Sequence, residues 1–179
     1  MSTVPSDITL PEPADVLTEH SMAEIREWLS RFPDDQKQSA VLGSLQVAQH
    51  QNEGFLTTEL MDAVAVMLEM PPIAVYEVAS FYSMFETTPV GKHCVAICTN
   101  ISCMLMGSDT IVNHVENKYG IKLGESTADG KIFLKVEEEC LAACAGGPMM
   151  QVDHKYYTEL TPEKVDEILD NLDDHSGDH

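Results

Sequence analysis

Four cysteines stand in two close pairs. Cys98 and Cys103 form C-x4-C, Cys140 and Cys144 form C-x3-C, and 36 residues separate the pairs. In a reducing compartment, spaced cysteines point to metal or redox chemistry rather than to disulfides. Four thiolates are the usual ligand set of an iron–sulfur cluster. The segments Cys98-Thr-Asn-Ile-Ser-Cys103 and Ala143-Cys144-Ala145-Gly146-Gly147 add small residues whose backbone N–H groups can donate to cluster sulfurs. Structural zinc is the first competitor, because C-x2–4-C pairs suit it, although C-x4-C with C-x3-C is atypical there. A redox dithiol more often reads C-x2-C, which is absent. The spacing also departs from the plant-type and bacterial ferredoxin runs. Spacing alone therefore ranks iron–sulfur first, with zinc, thiol redox and unligated thiols behind it.

The remaining reactive residues read more plainly. Cys94 lies four residues before Cys98 on the same expected strand, about 13 Å away, too far to join one centre. It is read as a buried free thiol. His20, His50, His93, His114, His154, His175 and His179 are scattered and suit surface or structural roles. Glu137-Glu138-Glu139 leads into Cys140. It reads as a solvated strand end whose negative charge would lower the potential of a nearby cluster. Gly146-Gly147-Pro148 is a turn. No G-x-G-x-x-G follows a strand and no G-x-x-x-x-G-K occurs, so the chain is not expected to bind NADH or flavin itself. The ten methionines read mainly as core, with Met104 and Met106 as possible shields for a cluster. Phe81, Tyr82 and Phe85 are expected in a helical core or between domains.

The elements that must carry these residues change character near residue 89. Residues 1–20 hold three prolines and four acids and read as a mobile tail. Four amphipathic helices then follow, the pattern of a four-helix bundle over residues 21–88. The first is expected to open at a Ser21-x-x-Glu24 capping box. The second spans about Asp35 to Gln51 and stops by Gly54. The third starts after Thr57 or Thr58, and the fourth at Pro72. Residues 89 to 173 read as a small α/β domain. His93–Cys98 is the first strand, Ser108–Tyr119 a helix, and Lys131–Val136 a period-two strand. Met149–Val152 and Lys155–Thr158 form a hairpin around Asp153-His154. Thr161-Pro162 opens the last helix. Residues 174–179 read as an acidic tail.

Composition limits the partners. The 179 residues hold 30 acids and 10 Lys+Arg, a formal charge of −20. The balance is −11 over residues 1–89 and −9 over 90–179, so the acidity is spread evenly. That disfavours nucleic acid and anionic membrane surfaces, which demand clustered cations. No apolar run reaches the roughly 18–20 residues of a membrane span, and neither a signal nor a transit peptide is evident. The expected location is cytoplasmic, with any link to the inner membrane made through other subunits. A packed core is possible, since 44% of residues are hydrophobic.

The run Cys98-Thr-Asn-Ile-Ser-Cys103-Met-Leu, with Glu139-Cys140-Leu-Ala-Ala-Cys144, resembles the small [2Fe–2S] subunits of the NADH dehydrogenase module of respiratory complex I. These are the E-subunit family of NADH-quinone oxidoreductase, the thioredoxin-like ferredoxins. Gly54-Phe-Leu-Thr and Pro71-Pro-Ile-Ala-Val-Tyr-Glu-Val-Ala-Ser-Phe-Tyr82 are similar to that family's N-terminal domain. The resemblance covers about residues 21–173. It implies a thioredoxin-like C-terminal domain in which Cys98, Cys103, Cys140 and Cys144 ligate one [2Fe–2S] cluster. Cys94 matches no ligand. The implied role is electron exchange with the FMN of a partner subunit that binds flavin and NADH, in a complex that oxidises NADH and reduces quinone. The same module serves the diaphorase subunits of NAD-dependent hydrogenases and formate dehydrogenases, which form the alternative. A zinc-stabilised protein-binding domain is the alternative of a different class.

Overall fold

The computed structural model describes residues 10–136 and 140–172. Residues 1–9, Glu137-Glu138-Glu139 and the acidic tail from residue 173 lie outside the described residues. The chain divides after Pro89 into two compact units.

The first unit is helical. Its elements are α1 (Pro13–Val16), α2 (Glu19–Ser30), a 3-10 segment (Asp34–Ala40), α3 (Val41–Gln51), α4 (Thr58–Leu68) and α5 (Pro72–Phe81). Ile25, Leu45, Leu56, Val64, Leu68 and Val75 form its fully buried centre. Burying one such side chain contributes about 1.5–3 kcal/mol. Three details differ from the sequence reading. Residues 13–17 carry a helical turn and a buried Leu17 rather than a featureless tail. The cap of α2 is Thr18, whose hydroxyl accepts from the Ser21 N–H at 3.1 Å. Thr18 has the extended backbone a cap requires, so Ser21 falls inside the first turn. The second helix starts late, because Gln36 leaves helical geometry at φ −124° and only a 3-10 segment precedes Val41. Thr57 caps α4 through Leu60 N–H, and Pro72 opens α5, as their types direct. Phe85 is buried, whereas Phe81 is 80% exposed and so is not in the helical core.

The second unit is a five-stranded sheet with helices. Its elements are β1 (His93–Ile97), α6 (Ile101–Leu105), α7 (Ser108–Tyr119), β2 (Glu125–Ser126), β3 (Ile132–Lys135), a 3-10 turn (Cys144–Gly146), β4 (Met150–Val152), β5 (Lys155–Tyr157) and α8 (Pro162–Asp170). The strand order is β2-β3-β1-β4-β5. Among the described residues only β1 and β3 pair in parallel, and α6 and α7 lie in the connection between them. The other pairs are antiparallel. Val95, Ile97, Ile132, Leu134, Met150 and Val152 line one face and pack with Ile111 and Val115 of α7 and Val165 and Leu169 of α8.

Polar contacts lock this arrangement. Asp153, at φ 52° in the hairpin turn, accepts from Cys94 N–H at 2.9 Å and contacts His93 Nδ1 at 2.9 Å. Between α7 and α8, His114 Nε2 lies 2.7 Å from Asp166, and Lys118 Nζ reaches Asp166 at 2.9 Å and Asp170 at 2.7 Å. Tyr119 donates to Asp170 at 2.8 Å. The hydrogen bond with His114 and the cation of Lys118 hold the Asp166 carboxyl below its ordinary range. Lys118 and then Tyr119 do the same for Asp170. Burial, with the bond to Asp170, pushes the Tyr119 phenol to about 12. Among the described residues no helix is long and apolar enough to cross a membrane.

Candidate metal centre

Cys98 sits at one end of the sheet, and the strand ladder puts it there. Antiparallel pairing of Ile97 with Met150 continues one step further, where Cys98 N–H donates to the Met149 carbonyl at 3.1 Å. Cys98 therefore ends β1 beside the segment that leads into β4. Asn100 then caps α6 by accepting from Ile101 N–H at 3.0 Å, and Cys103 falls in that helix. The short helix turns its thiol back toward Cys98.

Cys98 and Cys103 lie side by side in one small buried cluster. Both residues are buried and cluster with Met149, which has no exposed surface. Burial, then the neighbouring Cys98, raises the Cys103 thiol above its ordinary value, and Cys144 adds in the same direction. Cys140 Sγ and Cys144 Sγ lie 3.4 Å apart, and both residues are exposed. Ala142 N–H donates to Cys140 Sγ at 3.4 Å from a backbone at φ 61°.

The segment after Cys144 is pinned from behind. Glu159 N–H donates to the Gly146 carbonyl at 2.6 Å and Leu160 N–H to the Pro148 carbonyl at 3.0 Å. Gly147 backs directly onto the buried thiol. A Cβ there would stand 3.2 Å from Cys103 Sγ and 3.0 Å from Met106 Sδ. Sequence reading registered Gly146-Gly147-Pro148 only as a turn and missed this approach. The absence of a side chain beside a cysteine pair was the available signal. Met104 and Met106 are about half exposed, and Met149 is the methionine that closes over the thiols.

Cys94 stays with Asp153 near the start of β1. His93 and His114 are taken up by Asp153 and Asp166. Among the described residues no three His, Cys, Asp or Glu side chains are grouped as one metal ion would need. The thiols stand instead as two pairs, and a binuclear iron–sulfur centre takes two protein ligands on each iron. Soft donors, an N–H bond to sulfur and a glycine cradle all suit such a centre.

A family model described as thioredoxin-like [2Fe-2S] ferredoxin matches residues 25–173. The chain belongs to this thioredoxin-like [2Fe-2S] ferredoxin family. Among curated relatives, the E subunit of NADH-quinone oxidoreductase from Rickettsia bellii (strain RML369-C) is 45% identical over 152 residues, covering 85% of this chain and 89% of that one. The mitochondrial NADH dehydrogenase [ubiquinone] flavoprotein 2 of Dictyostelium discoideum is 39% identical over 155 residues, or 87% of this chain and 62% of that one. Among solved structures, an NAD+-reducing [NiFe]-hydrogenase in the air-oxidised state matches with a TM-score of 0.60 at 20% identity. This ferredoxin-family chain matches it over 70% of its own length and spans 22% of the hydrogenase chain. At that identity the likeness speaks to the fold alone.

Proposed function

We propose that this chain is the small electron-transfer subunit of an NADH-quinone oxidoreductase, holding one [2Fe–2S] cluster on Cys98, Cys103, Cys140 and Cys144. The observation that supports the ligand assignment is that the two cysteine segments, 36 residues apart in sequence, pack together: Leu141 and Ala143 lie against the cluster of Cys98, Cys103 and Met149, and Gly147 backs onto Cys103. The relatives that are E subunits of NADH-quinone oxidoreductase support the context of the whole complex over a hydrogenase. When bound, the cluster accepts and releases one electron, so the chain itself needs no general acid or base.

The chain's own residues set the surroundings. Cys98 and Cys103 are buried on the strand and helix side, and Met149 keeps water from them. Cys140 and Cys144 occupy the exposed side, which is the side open to a partner. The Ala142 N–H donates to a ligand sulfur and so stabilises its negative charge. The partner is a subunit that carries FMN and the NADH site. The helices of residues 21–88 are read as a four-helix bundle that serves docking, and residues 89–173 as the thioredoxin-like domain. Within the assembly the chain is peripheral, on the cytoplasmic face of the inner membrane.

The test is EPR of anaerobically purified, dithionite-reduced protein, with iron and acid-labile sulfide assayed on the same sample. The expected result is about two irons and two sulfides per chain with an S = 1/2 signal. One zinc per chain, without signal or sulfide, would overturn the reading.

A further inference from the structure

The sheet of the second unit has two faces of different chemistry. One is the aliphatic face beneath α7 and α8. Side chains alternate along a strand, so Cys94, Ala96 and Cys98 share the other face. Ala96 pairs with Lys135 of β3 on one side and with Gln151 of β4 on the other. Lys135 therefore stands on the same face as Cys98, one row behind it. The diagonal between their backbone positions is about 8 Å. Lysine is rarely buried, yet Lys135 is only 9% exposed. Its neighbours on β3 are apolar, which makes it the one basic residue among Ile132, Phe133 and Leu134.

We propose that the Lys135 ammonium raises the reduction potential of the cluster held beside it. The inference rests on the function proposed above and deepens it. Reduction adds one negative charge to the centre. A cation fixed nearby stabilises the reduced form relative to the oxidised one. Burial makes the effect larger than it would be at a surface, because little water lies between to screen it. The need for such a charge is visible in the sequence. The chain carries a formal −20, and three glutamates directly precede Cys140. Negative charge disfavours the added electron, and a buried lysine on the ligand's own sheet face offsets it. At an effective dielectric near 20, a unit charge at a separation on the order of 10 Å would change the ratio of reduced to oxidised protein roughly tenfold. For a one-electron couple tenfold corresponds to about 59 mV.

In this role Lys135 acts through its field. The test is an anaerobic redox titration of the cluster-loaded full chain, following the EPR signal of the reduced state. Wild type is compared with Lys135→Met, which keeps length and removes charge, and Lys135→Arg, which keeps charge. Lys135→Gln supplies a second neutral variant if the Met variant fails to fold. The neutral variant is expected to have a lower midpoint, with roughly tenfold less reduced protein at a fixed potential. The Arg variant is expected to titrate with wild type, and thermal midpoints and g-values are expected to stay close to wild type throughout. A neutral variant that holds its cluster and titrates at or above the wild-type midpoint would overturn the proposal. Failure of the functional reading looks different, since wild type itself would then lack the signal and the iron.

Discussion

Replacing Gly147 by alanine is the smallest change that reaches the candidate centre without touching a ligand. The new methyl carbon would lie 3.0 Å from Met106 Sδ, 3.2 Å from Cys103 Sγ and 3.5 Å from Cys103 Cα. The first contact is soft, because Met106 is half exposed and can turn away. The second is not. Cys103 is 1% exposed, packed against Cys98 and Met149, and its sulfur must yield by a few tenths of an ångström. Overpacking of this kind costs about 1–3 kcal/mol. Backbone strain adds nothing, since Gly147 has φ −69°, which alanine accepts. If the misplaced atom is a ligand sulfur, the cost falls on cluster affinity, which should drop about 5- to 150-fold. The assay is the loss of visible absorbance against a chelator series, with iron and sulfide counted before and after. The double variant Gly147→Ala/Met106→Ala separates the two contacts: removing Met106 should rescue little, because Cys103 is the immovable neighbour. A Gly147→Ala protein with wild-type cluster retention would refute the reasoning. Full rescue by the double variant would refute the division between the two contacts.

Cys144→Ala should lose the cluster or leave it labile, whereas Cys94→Ser should keep a wild-type visible spectrum; normal iron and sulfide in the first, or loss of colour in the second, would show that the wrong four cysteines were chosen. Acid stability should depend on the clamp between α7 and α8. Asp166 and Asp170 have lowered folded values, through His114 and Lys118 for the first and Lys118 and Tyr119 for the second. Their contribution is therefore complete above the unfolded carboxylate value of about 3.9 and fades as pH falls through the lower folded values. Lys118→Met should reduce the urea midpoint at pH 7 and flatten its decline between about pH 5 and 3; parallel curves for variant and wild type would contradict this.

What the sequence determined by itself is local. The donor types and spacing of Cys98, Cys103, Cys140 and Cys144 were legible, because ligand chemistry belongs to residue type. So were the starts of α4, α5 and α8, since Thr57, Pro72 and Thr161 act on the N–H groups of their own first turn. The Asp153-His154 hairpin was legible for the same reason. Where two local signals competed, backbone geometry chose between them: extended Thr18 became the cap rather than Ser21, and the kink at Gln36 kept Asp34–Ala40 out of the α-helix. The tertiary structure alone decided which distant segments became neighbours. Antiparallel pairing of β1 with β4 placed Cys98 opposite Met149 and brought Gly147 against Cys103. The same strand pairing determined that Lys135, one charged step in an alternating strand, would be buried. A period of two says which residues share a face. What covers that face depends on chain remote in sequence, and no local pattern carries that information.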